Sequence, residues 1–242
     1  MKLLFIFVNI SWATSVFSND KLVVALSSFE PWTIINEQQI SGIDIELLER
    51  LAQMQKLTLD YYSCPWARCL QLLKEGKIDI VSSIFYSDER AEYLSYFNQP
   101  YVHGNYQVFY LNKASNFGIN SFSDLNNLEI GVRRDISYFP KFDQNQQLNK
   151  KQVTYDHQLV NMLLNQRIDT FVGQEDVIDY LLIKEGHSDK FIKANYKVFQ
   201  PDNSFLAFSK KSKLLPLQAQ MERNLAILLA QDMIGQLRKK YQ

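Results

Sequence analysis

Phe29, Trp32 and Trp66 offer aromatic faces, surfaces that hold apolar or cationic parts of a ligand. Core packing is the competing use, more so for Trp66 than for Trp32. Glu30 stands in the same loop, Ser27-Ser28-Phe29-Glu30-Pro31-Trp32, and can meet a cation. Ser82 and Ser83 lie towards the carboxyl end of a strand expected over Ile78 to Ile84, the end at which open α/β sheets meet ligands. Turn chemistry would use the same two serines. Ser137 follows Gly131-Val132-Arg133-Arg134-Asp135 and is placed to cap a helix, whose free N–H groups favour a carboxylate. Arg90 closes Ser87-Asp88-Glu89-Arg90, and residue type alone reads it as a surface arginine paired with Glu89 or Glu92.

Catalytic patterns are missing. His103, His157 and His187 are scattered, and there is no G-x-S-x-G, H-E-x-x-H, P-loop or dinucleotide glycine motif. Glu30 or Glu175 can act as a lone general acid, but no second carboxylate is placed to pair with either. No enzyme activity, cofactor or metal is expected. The 242 residues carry 26 Lys plus Arg against 26 Asp plus Glu, so nothing draws the chain to nucleic acid.

Residues 1–18, MKLLFIFVNISWATSVFS, read as a cleavable signal peptide: Lys2, a short apolar run, then Val16 and Ser18 before the cut. The expected location is the periplasm. Export makes a bond between Cys64 and Cys69 chemically reasonable. Residues five apart on one regular helix lie beyond disulfide reach, so Cys64 must fold back ahead of a helix that starts near Pro65. A disulfide is the reading taken, with two buried thiols as the alternative.

Those groups need a scaffold. Leu22 to Leu26 is a compact apolar run suited to a buried parallel strand. Ile45, Leu48, Leu51 and Ala52 recur at helical spacing after Gly42, and Leu57, Leu59 and Tyr61 alternate as a strand. A second helix runs from about Pro65 to Glu75, with Gly76 as its left-handed stop. The order β-α-β-α-β implies a parallel sheet covered by helices. A similar helix-turn-strand unit returns around Leu163 to Val172, and the segment from Leu214 to Tyr241 reads as helical.

In order and spacing the chain resembles the bacterial extracellular solute-binding proteins of family 3, polar amino-acid receptors of ABC importers. The resemblance rests on Pro31-Trp32, Gly42-x-Asp44, Gly76-Lys77-Ile78-Asp79, Ser87-Asp88-Glu89-Arg90, Asn98-Gln99-Pro100-Tyr101, Ile130-Gly131-Val132, Arg167-Ile168-Asp169 and the ending Gly235 to Tyr241. It implies an α/β, two-lobed type II periplasmic-binding-protein fold, each lobe a mostly parallel sheet flanked by helices. The first lobe would take residues 19–108 plus 204–242, the second 109–203, with crossing strands near Tyr106 to Leu111 and Gln200 to Phe208. A small polar solute would sit between the lobes, and the protein, a monomer, would pass it to an ABC permease. Signalling to a membrane sensor, or a dehydratase or lytic activity on the same scaffold, are the alternatives.

The resemblance also assigns roles. Arg90 would grip a ligand carboxylate through two parallel hydrogen bonds, as a planar guanidinium can. Ser82 and Ser83 would contact the ligand. Gln174 falls where these receptors usually place the aspartate that binds the ligand's ammonium group, with Glu175 beside it as a substitute or a helix cap. Asp135 stands where glycine is usual.

Overall fold

The computed structural model describes residues 21–36, 39–134 and 136–241; the expected leader and Asp135 lie outside them. In chain order the first part comprises β1 (Lys21–Leu26), β2 (Ile34–Ile35), β3 (Ile40–Ser41), α1 (Ile43–Gln55), β4 (Thr58–Ser63), α2 (Trp66–Glu75), β5 (Ile80–Phe85), α3 (Asp88–Ala91) and β6 (Leu94–Tyr96). Next come β7 (Asn105–Asn112), β8 (Glu129–Arg133), α4 (Pro140–Asp143), β9 (Asn149–Val153), α5 (Asp156–Leu164), β10 (Thr170–Gln174), α6 (Glu175–Lys184) and β11 (Phe191–Gln200). The chain ends with β12 (Ser204–Ser209), α7 (Gln218–Ala230) and α8 (Met233–Tyr241).

Two five-stranded sheets form. The first has the order β4-β1-β5-β12-β6, and the second β11-β7-β10-β8-β9. In the first, β1 runs parallel to β4 and β5, while β12 is antiparallel to β5 and β6. In the second, β8 runs parallel to β9 and β10, while β7 is antiparallel to β10 and β11. This is the mixed α/β architecture expected.

Alternation along each central strand feeds two cores, because successive side chains point to opposite faces. From β1, Leu22, Val24 and Leu26 pack with Leu47, Leu48 and Leu51 of α1 and with Leu225 and Leu237 of α7 and α8. On the other face Ala25 meets Cys69, Leu72 and Leu73 of α2. In β10, Phe171 joins Leu159 and Leu163 of α5, while Val172 joins Phe142 on the opposite side. Each fully buried leucine or phenylalanine contributes about 2 kcal/mol relative to exposure.

Gly76 ends α2 in the left-handed conformation, φ 77°, as its position implies. The C-terminal helical segment is broken in two at Asp232, which also takes a positive φ of 55°. The chain passes from sheet to sheet at residues 97–104 and 201–203, tied by a bridge between Val102 and Ser204. The first crossing thus precedes Tyr106 to Leu111: those residues already pair with β10 and β11 within the second sheet. Among the described residues no helix is long and apolar enough to cross a membrane.

Candidate functional site

Two cavities of about 370 and 280 Å³ adjoin, sharing Phe29, Phe85 and Ile136 in their walls. The larger is walled chiefly by loops and strand ends of the first sheet and holds Trp66, Ser82, Ser83 and Arg90. The smaller faces the second sheet and holds Gln107, Arg133, Ser137, Asp156 and Gln174, with Gln200 and Asp202 where the chain crosses back. The cleft therefore lies between the two sheets, at the carboxyl ends of β5, β8 and β10, as open α/β sheets dictate.

Arg90 belongs to α3, one short turn capped by Ser87, whose Oγ accepts from the Arg90 backbone N–H at 3.3 Å. Its Nη1 donates to the carbonyl of Phe85 at 3.1 Å. Among the described residues Arg90 forms no ion pair, with Glu89 and Glu92 included. A half-buried guanidinium with no carboxylate of its own suits an anionic group from a ligand.

Beneath the same wall runs a buried chain of hydrogen bonds. Tyr101 Oη donates to Asp44 Oδ1 at 2.6 Å and accepts from the Ser83 backbone N–H at 2.8 Å. Ser83 is thereby held at φ 51°, the left-handed region that non-glycine residues seldom occupy. Burial pushes the Asp44 carboxyl up to about 6, against the opposing pull of the Tyr101, Ser83 and Ser82 hydroxyls. The Tyr101 hydroxyl is raised too, by burial first and then by Asp44.

The aromatic expectation divides differently from its sequence reading. Phe29, 37% exposed, lines both cavities, and Trp66, 36% exposed, lines the larger. Trp32 does not reach the cleft: at 2% exposure it is core, packed edge-on against Tyr101. Pro65 caps α2 and turns its first residue, Trp66, towards the cleft, whereas Trp32 follows a turn that folds it under α1. Ser137 lines the cleft but caps no helix. The helix after it is the four-residue α4, capped at Phe139, and Ser137 Oγ donates instead to Asp143 at 2.8 Å.

Gln174 lines the cleft at the end of β10, while Glu175, one residue on, does not. The start of α6 turns Glu175 away, and its carboxylate meets Lys193 Nζ at 2.7 Å. Glu30 finds a cation, but within the protein: Lys184 of α6 lies at 2.7 Å. Cys64 and Cys69 are bonded, with Cα atoms 5.5 Å apart and Cys64 ahead of α2, the geometry their spacing demanded.

Sequence reading missed Gln107, Arg133 and Asp156. Gln107 carried a usable sign, a carboxamide inside the apolar run of β7, and it is only 7% exposed. Arg133 and Asp156 carried none; they converge from β8 and α5 into an ion pair of 2.9 Å.

Fold and cleft together define a class: two α/β units with a polar pocket at their junction, reached by two chain crossings. The chain belongs to the bacterial extracellular solute-binding proteins, family 3, whose pattern matches residues 22–242. It is 24% identical over 107 residues to a probable histidine-binding protein of Campylobacter jejuni, covering 44% of this chain and 41% of that one. It is 22% identical over 160 residues to the probable amino-acid-binding protein YxeM of Bacillus subtilis, covering 64% and 60%. The chain thus matches less than two thirds of either relative's length. In structure it is similar to the second substrate-binding domain assigned to an amino-acid ABC transporter of Streptococcus pneumoniae: TM-score 0.75, 21% identity, 92% of this chain and 99% of that one.

Proposed function

We propose that this protein is a periplasmic receptor that encloses a small polar solute bearing a carboxylate, an amino acid or a related acid, and delivers it to an ABC permease. The observation that carries the reading is Arg90: a half-buried guanidinium on the cleft wall, anchored to the Phe85 carbonyl and paired with no carboxylate among the described residues. The relatives, by their descriptions a histidine-binding and an amino-acid-binding protein, support the same ligand class. The two lobes follow the two sheets, and ligand enclosure turns them about the paired crossings at Val102 and Ser204. The protein is exported through residues 1–18, acts as a monomer and performs no catalysis.

The test is a thermal-shift screen over amino acids and small organic acids, followed by calorimetry on the wild type and Arg90→Ala. A bound ligand raises stability by mass action. Arg90→Ala is expected to lose at least tenfold in affinity at unchanged unfolding temperature. Equal binding by both proteins would remove Arg90 from the site, and turnover of a bound ligand would make the protein an enzyme.

A further inference from the structure

Gln107 and Gln174 are direct partners in the antiparallel pairing of β7 with β10, so their side chains share one face of the second sheet. Both line the smaller cavity. Gln107 Nε2 donates to Asn105 Oδ1 at 3.0 Å, but its buried Oε1 has no hydrogen-bond partner among the described residues. A buried carbonyl oxygen without a donor is destabilising, a penalty that a ligand N–H or O–H would relieve.

The buried charge around this pair is already committed. Two carboxylates line the two cavities. Asp156 is held by Arg133 at 2.9 Å, and Asp202 stands exposed on the crossing segment, where water screens it. Glu175, adjacent in sequence, is drawn off by Lys193. A ligand ammonium desolvated against the Gln107–Gln174 wall would meet carboxamides, with Asp202 the one unpaired carboxylate of the lining and that one in water, and an uncompensated buried charge is expensive. A neutral amide N–H or hydroxyl would meet an acceptor already lacking a donor.

From this we infer that Gln107 and Gln174 form a second subsite that selects ligands carrying an uncharged hydrogen-bond donor rather than an ammonium group. Combined with Arg90, the cleft takes N-acylated amino acids or 2-hydroxy acids in preference to free amino acids. The inference rests on the receptor reading above, and deepens it.

Matched probes decide the question: calorimetry with L-amino acids, their N-acetyl derivatives and the corresponding 2-hydroxy acids, against wild type and Gln174→Asp. In the wild type at least one N-acetyl or 2-hydroxy compound is expected to bind tenfold or more tightly than its free amino acid. Gln174→Asp should reverse that order. Tighter binding of free amino acids by the wild type would overturn the carboxamide subsite and leave the receptor reading standing. Binding of no compound in any series would overturn both. The wild-type comparison decides even where the variant fails to fold.

Discussion

Arg238 of α8 and Asp176 of α6 meet at 3.0 Å, joining a helix packed on the first sheet to one packed on the second. The guanidinium also lies over the ring of Trp32, 5.3 Å from its centroid. Burial raises the Asp176 carboxyl, and Arg238 is the chief influence opposing it. At the far end of α6, Lys184 reaches Glu30 of the first-sheet loop. The helix that begins immediately after Gln174 is therefore fastened to the other unit at both ends.

That fastening predicts linkage between ion pairs and ligand affinity, since contacts made only when the units lie together favour the ligand-enclosing state. Lys184→Glu is expected to weaken binding of whichever screened ligand is retained by up to fivefold, about 1 kcal/mol for a pair this exposed. Adding Glu30→Lys should restore most of it. A double variant no better than the single would show that the pair does not couple the units.

Trp32 and Trp66 give opposite expectations. Trp32→Ala removes a core side chain and should cost about 3–5 kcal/mol in urea unfolding. Trp66→Ala, at a half-exposed cavity wall, should leave stability within about 1 kcal/mol and lower ligand affinity instead. Calorimetry paired with unfolding curves checks both; a Trp66 variant with unaltered affinity would make that ring a bystander.

The Cys64–Cys69 bond closes a short loop that contains that tryptophan. In the chain-entropy description a loop of this size stabilises by about 2 kcal/mol. The double variant Cys64→Ala, Cys69→Ala should lose about that much in denaturant unfolding. Thiol titration of the unreduced, denatured wild type should find none; two titrating thiols would mean the bond does not form.

Much of the scaffold was legible because it depends on local pattern. The apolar run of β1, the helical spacing of α1 and the left-handed stop at Gly76 each follow from residue type and period. The cleft was legible in part. Phe29, Ser82, Ser83, Arg90 and Gln174 sit on elements whose ends converge by topology, so placing the strands placed them. What failed depended on orientation or on distant partners. Trp32 and Trp66 differ in which way one turn points them, and Glu175 differs from Gln174 by one residue at a strand-to-helix turn. Arg133 with Asp156, and Arg238 with Asp176, are pairs 23 and 62 residues apart in number that only tertiary structure brings together.

Asp44 yields the pH prediction. Its carboxyl is fully buried, and its folded-state value of about 6 lies above the ordinary 3.8. Between those values the folded protein keeps a proton that the unfolded chain has released. Stability from this group is therefore complete below about pH 4, declines as pH rises towards 6, and stays at the lower level above it. The difference amounts to about 3 kcal/mol. Asp44→Asn has no such proton to lose and retains an acceptor for Tyr101. Urea unfolding of both proteins at pH 4, 5, 6 and 7 should show the wild type losing about 2 kcal/mol relative to the variant across the series. A constant difference would mean that Asp44 is ionised throughout. The same carboxylate anchors Tyr101, which receives the Ser83 N–H, so ligand affinity in the wild type should change over the window in which stability does.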